Sequence, residues 1–172
     1  MSPAIRVTPH RELAARRRPR RHSCWGHVIA APLWPLYGAN LGTLLRTCDA
    51  VGACLAVPRV AWVDEALARG NTLRQPTCIH RVSNPARWLA DEKHAGTRIL
   101  GVELADEAVR LGDLPAARHR TIAVLGHEQT GIPPDVLDLL DAVVEIPMVG
   151  TGTSLNVAVA GSLVLYKLAG LL

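Results

Sequence analysis

A chain of 172 residues is long enough for one domain with a sizeable core, and an apolar content of 49% suits a globular α/β protein. It has no Phe and only two Tyr, so Leu, Val, Ala and Ile must build the core, and a platform of stacked aromatics for single strands is excluded. The formal charge of +4 is uneven: residues 1–27 carry Arg6, Arg11, Arg16, Arg17, Arg18, Arg20 and Arg21 against Glu12, a balance of +6 that leaves −2 on the rest.

Residues 1–22 read as a basic N-terminal arm and residues 23–172 as a single domain. A basic arm beside a near-neutral domain points to a polyanion partner. A solubilising tail and an Arg-rich transit peptide remain alternatives, whereas a secretory signal is excluded, because the first 27 residues hold no apolar core segment. His27 to Ala31 reads as a first strand, broken by Pro32 and Pro35 around Trp34. Asn40 fits an N-cap, and Leu41, Leu44, Leu45 and Cys48 fall on one face of a helix that ends near Gly52. Cys54 to Val57 and Val60 to Val63 read as strand, interrupted at Pro58. Asn84-Pro85 starts a helix running to about Gly96. Arg98 to Val102 and Arg120 to Leu125 are buried strands. Pro133-Pro134 opens a short helix through Leu140, and Ala142 to Ile146 is a further strand. A last helix begins near Ser154. This alternation predicts an α/β fold: a mostly parallel sheet with helices on both faces.

The four cysteines, at 24, 48, 54 and 78, form no CxxC pair, and no His stands at a zinc-like spacing from them, so no metal is expected. Buried free thiols suit a reducing compartment, and the expected location is the cytoplasm. Leu155 to Leu172 is apolar, but Asn156 and Lys167 interrupt it. It reads as a buried or subunit-facing helix rather than a membrane span.

Three segments carry chemistry. The first is Asn40-Leu41-Gly42-Thr43-Leu44-Leu45-Arg46-Thr47-Cys48-Asp49-Ala50-Val51-Gly52. Here Arg46 points away from the Leu stripe, on the side shared with Gly42. A guanidinium beside bare backbone suits a phosphate or ribose partner. The second is Ala123-Val124-Leu125-Gly126-His127-Glu128-Gln129-Thr130-Gly131-Ile132, a strand ending in a glycine that lets a ligand approach the backbone. The third runs from Ile146-Pro147-Met148 through Gly150-Thr151-Gly152 to Ser154-Leu155-Asn156. A proline, a flexible loop and polar side chains lie there between strand and helix, an arrangement that builds a pocket. The loop lacks the third glycine of a dinucleotide fingerprint, and there is no P-loop. Taken singly, each segment is also what a surface Arg, a loop carboxylate or a plain capped connection would show.

In order and spacing, the three together resemble the motifs of the SpoU-type RNA 2′-O-ribose methyltransferases of the SPOUT superfamily, from about Asn40 to Tyr166. That resemblance implies a C-terminal deep trefoil knot, S-adenosylmethionine as methyl donor, RNA as acceptor and a homodimer joined through the knot region and last helix. It implies catalytic roles for Arg46, Asn40, Glu128, Ser154 and Asn156. A donor site would be lined by Val102, Glu103, Gly126, Ile146, Met148, Ser154 and Leu155. His127 has no role in it. An unperturbed Arg is a poor base, so orienting the hydroxyl and stabilising alkoxide charge are physically easier roles for Arg46. The Cys48-Asp49-Ala50-Val51-Gly52 run resembles the tRNA guanosine branch, and the short termini resemble the wobble-position tRNA enzymes. Transfer RNA is therefore favoured over ribosomal RNA. A knotted RNA-binding module without catalysis and a small-molecule methyltransferase are the rival readings.

Overall fold

The computed structural model describes residues 27–70 and 77–172. The arm over residues 1–22 lies outside them. Seven strands form one sheet: β1 (Val28–Pro32), β2 (Cys54–Pro58), β3 (Ile79–Val82), β4 (Arg98–Val102), β5 (Val109–Arg110), β6 (Thr121–Leu125) and β7 (Ala142–Glu145). Their order is β3-β2-β1-β6-β4-β7-β5, and every pairing is parallel. The helices are α1 (Gly38–Val51), α2 (Ala61–Gly70), α3 (Pro85–His94), α4 (Pro134–Leu137) and α5 (Val157–Leu168).

Strand alternation divides the core in two. Ala30, Leu55, Val57, Leu100, Ala123, Leu125 and Val144 face one way and bury Leu41, Leu44 and Leu45 of α1, Val63 and Leu67 of α2, and Val164 and Leu165 of α5. Ile29, Ala31, Ala56, Ile99, Ile122 and Val124 face the other way, against Leu89 of α3 and Val136 of α4. Both faces are thus covered, which is why β1 and β6 are buried at every position and apolar at all but Thr121.

The local expectations need six corrections. Val60 to Val63 is not strand; Pro58 ends β2, and the buried residues beyond it are Val63, Ala66 and Leu67, at helical spacing. The edge strand β3 was not anticipated, because Ile79-His80-Arg81-Val82 has neither an apolar run nor clean alternation. Asn40 is not the cap of α1. The helix begins two residues earlier, and Tyr37 caps it without a side-chain bond. Gly42 leaves no bare backbone for a ligand: it is buried, and a Cβ there would stand 3.0 Å from the Cα of Gly70. The glycine pair lets α1 and α2 approach closely. Finally, α5 starts at Val157, with Asn156 as its cap, and α4 stops at Leu137.

Candidate active site

All strands point the same way, so their C-terminal ends share one rim. Register places Val102 beside Leu125 and beside Val144. The residues that follow, Glu103, Gly126 and Glu145-Ile146, therefore leave the sheet side by side at its centre. Chain order reverses between β1 and β6, and open parallel sheets bind ligands outside the carboxyl ends of their strands at such a point.

A cavity of about 550 Å³ opens there, within the size range of small-molecule sites. Its apolar wall includes Val102, Leu125, Val144, Ile146 and Leu155, and its polar wall includes Glu103, Ser154 and Asn156. The seven residues expected to line a donor site all border it, as do Asn40 and Glu128. Arg46 does not. It lies six residues beyond Asn40 on α1, which turns it about 120° away at 100° per residue. There it is exposed and makes no hydrogen bond or ion pair among the described residues.

Three side chains from distant parts of the chain are joined at the rim. The Glu128 carboxylate accepts from the amide nitrogen of Asn40 at 2.9 Å and from the backbone N–H groups of Leu36 at 2.8 Å and Tyr37 at 3.3 Å. Asn156 donates from Nδ2 to Oδ1 of Asn40 at 3.0 Å. Its own Oδ1 accepts from the N–H groups of Ala158 at 2.9 Å and Val159 at 3.3 Å, capping α5. Asn40 is a two-way connector: it gives to the carboxylate and takes from the other amide, and it is only 8% exposed. Burial by itself pushes the Glu128 carboxyl up, but the bonds from Asn40, Leu36 and Tyr37 outweigh it, and the pKa falls below its ordinary value. A charged carboxylate at the start of α1 also complements that helix's dipole.

The loop after β6 is shaped by its backbone. His127 and Gly131 exchange N–H···O bonds, both 2.9 Å, and His127 Nδ1 accepts from the N–H of Gln129 at 3.1 Å. His127 is therefore part of the cavity wall and of the turn that holds Glu128. Gly131 adopts φ +71°, and a Cβ there would meet the Glu103 carboxylate at 2.6 Å. Gly126 serves the turn more than ligand approach, since its Cβ would stand 2.6 Å from the backbone carbon of Gly131.

Tyr37, Leu104, Gln129 and Thr153 also border the cavity and were missed, because only the returning loops bring them there. Sequence spacing also pointed away from metal ligands, yet the sheet brings Cys54, Cys78 and His80 within 4.8 Å of one another. Cys78 and His80, two apart where the edge strand β3 begins, were the available signal. Among the described residues, no helix is long and apolar enough to cross a membrane.

Comparison with known proteins places the chain among characterised families. Residues 35–166 match the SpoU rRNA Methylase family. The tRNA (guanosine(18)-2′-O)-methyltransferase of Aquifex aeolicus is 32% identical over 133 residues, 74% of this chain and 62% of that protein. A solved structure described as showing the 2-OH methylation of C/U34 on tRNA aligns with a TM-score of 0.71 at 26% identity, over 84% of this chain and 96% of that one. The SpoU methyltransferase AviRb from Streptomyces viridochromogenes, solved in complex with the cofactor AdoMet, aligns with a TM-score of 0.65 at 25% identity, over 83% of this chain and 56% of that one. With three quarters of its length matched and its sheet superimposable on these enzymes, the chain belongs to the SpoU methylase family.

Proposed function

We propose that this protein transfers a methyl group from S-adenosylmethionine to a ribose 2′-hydroxyl of RNA, with transfer RNA the favoured substrate. One observation carries the reading: the Glu128–Asn40–Asn156 chain of hydrogen bonds stands at the edge of a cavity built by all three motif segments. The cavity suits the donor. Its apolar wall can take an adenine, and Glu103, Ser154 and backbone groups near Gly126 and Met148 can take the ribose and the amino-acid end. Bound there, S-adenosylmethionine supplies an electrophilic methyl on a sulfonium that leaves readily.

The protein's own task is then to align donor and acceptor, with the 2′-hydroxyl proton passing to solvent water as the methyl is transferred. Glu128 and Asn156 hold the second and third motif loops in register through Asn40. Ser154 presents a hydroxyl to the cavity. Arg46 is exposed and does not border the cavity; its proposed role is to orient the hydroxyl of a ribose that the bound RNA brings to it and to stabilise the developing alkoxide charge. The basic arm, through its seven arginines, supplies phosphate contacts.

The same reading includes a trefoil knot formed by the segment after β7, one domain over residues 23–172, and a homodimer packed on the knot region and α5. Exposed Val159 on α5 and Leu171 and Leu172 just past its end support that packing. The buried thiol of Cys48 supports a cytoplasmic location. Ribosomal RNA is the second substrate, favoured by the description of the matching family. The test is methyl transfer from labelled S-adenosylmethionine to unmodified tRNA and rRNA fragments, with ribose-methylation mapping of the product. Label on a tRNA 2′-oxygen is expected. Donor binding without transfer to either RNA would replace catalysis with a binding module.

A further inference from the structure

β2 and β3 run parallel, with Leu55 opposite Ile79 and Ala56 opposite His80. One residue back, Cys54 stands opposite Cys78, and the two-residue period of a strand turns His80 to the same face. That face is the one covered by α3, where Cys54 belongs to the core and Cys78 packs against it with Trp88. Two thiols and an imidazole therefore converge at the sheet's edge, away from the cavity, with their ligand atoms all within 4.8 Å.

The spacing has the dimensions of a metal site. Cys78 Sγ lies 3.6 Å from His80 Nε2. With bonds of about 2.3 Å to sulfur and about 2.05 Å to nitrogen, a tetrahedral zinc holds those two atoms about 3.6 Å apart. The charged groups facing His80 are Arg120 and Glu92, which are paired with each other through Arg120 Nε at 2.9 Å and Nη2 at 2.8 Å. The Trp88 ring, its centroid 6.4 Å from that of His80, shields one side.

We propose that Cys54, Cys78 and His80 bind a borderline-soft divalent transition metal ion, Zn²⁺ above all, as two thiolates and one imidazole with water in the fourth position. Binding releases the two thiol protons to solvent and forms two metal–sulfur bonds and one metal–nitrogen bond. The consequence is mechanical: a strand of four residues at the sheet's edge is tied to β2.

The experiment uses the full chain, treated with a chelator under reducing conditions and titrated with Co²⁺. One equivalent is expected to give a thiolate-to-cobalt charge-transfer band and the intense visible bands of tetrahedral cobalt, displaced by Zn²⁺. Cys78→Ser and His80→Asn, checked for folding by circular dichroism, are expected to lose them. Zn²⁺ should raise the melting temperature of the native protein and leave that of both variants unmoved. Absence of a thiolate band at one equivalent, or wild-type spectra in both variants, overturns the site. Neither readout involves methyl transfer, so the result stands apart from the proposed activity.

Discussion

Asn156→Ala is the substitution whose cost can be built up from individual bonds. It removes the cap of α5, the two bonds that Oδ1 accepts from Ala158 and Val159, which is worth about 1 kcal/mol. It also deletes the amide that satisfies Asn40 Oδ1 at 3.0 Å. Asn40 is nearly buried, so an acceptor left without its partner costs about 1–3 kcal/mol. Cavity water recovers part of that, for a combined loss of about 2–3 kcal/mol. In a protein of this size the loss corresponds to a melting temperature lower by about 4–10 °C. Asn156→Asp separates the two effects. Its carboxylate still caps α5 and suits the positive end of the helix, but it faces Asn40 Oδ1 as one acceptor against another. Turning the Asn40 amide over only moves the clash to Glu128. Thermal unfolding should therefore rank wild type above Asn156→Asp and Asn156→Ala lowest, with both variants weakened in donor binding by calorimetry. An Asn156→Ala protein that melts within about 1 °C of wild type would refute the reasoning, because the bonds would then carry no weight.

Three further outcomes can be checked separately. Arg46→Ala should leave the melting temperature and donor affinity unchanged, since the side chain makes no bond among the described residues, while turnover falls by about two orders of magnitude or more; steady-state kinetics with labelled donor decides. Glu128 has a folded pKa below its ordinary value, so its contribution is fully present above pH 4.5 and is lost as pH falls through the folded value. Glu128→Gln should flatten that acid limb in urea unfolding measured from pH 3 to 6. Gly126→Ala drives a Cβ into the Gly131–Ile132 backbone at 2.6–2.7 Å. It should cost about 1–3 kcal/mol by urea denaturation and loosen the loop carrying Glu128; an undiminished stability would show that the turn relaxes freely.

Much of the architecture was readable along the chain because its signals are local. Continuous apolar runs at Val28–Pro32 and Ile122–Leu125 mark strands buried on both faces, Asn84-Pro85 is a helix start, and Gly52 in the left-handed conformation is a helix stop. The helix over Ala61–Gly70 was not readable, because Val60-Ala61-Trp62-Val63 looks like strand until its tertiary partner shows that Val63, Ala66 and Leu67 face inward.

The residue types of the cavity were set by the three motif segments, which need no folding to recognise. Their relations were not. That Asn40 spends its side chain on Glu128 and Asn156 rather than on capping its own helix is decided across 88 and 116 residues of separation. That Gly42 is buried against Gly70 rather than left as bare backbone beside Arg46 follows from the close approach of α1 and α2. That two cysteines and a histidine meet follows from the register of β2 with β3. Sequence order supplies periodicity and chemistry within a few residues. Parallel pairing and close helix approach join positions far apart in the chain, and only the packed structure selects among those pairings.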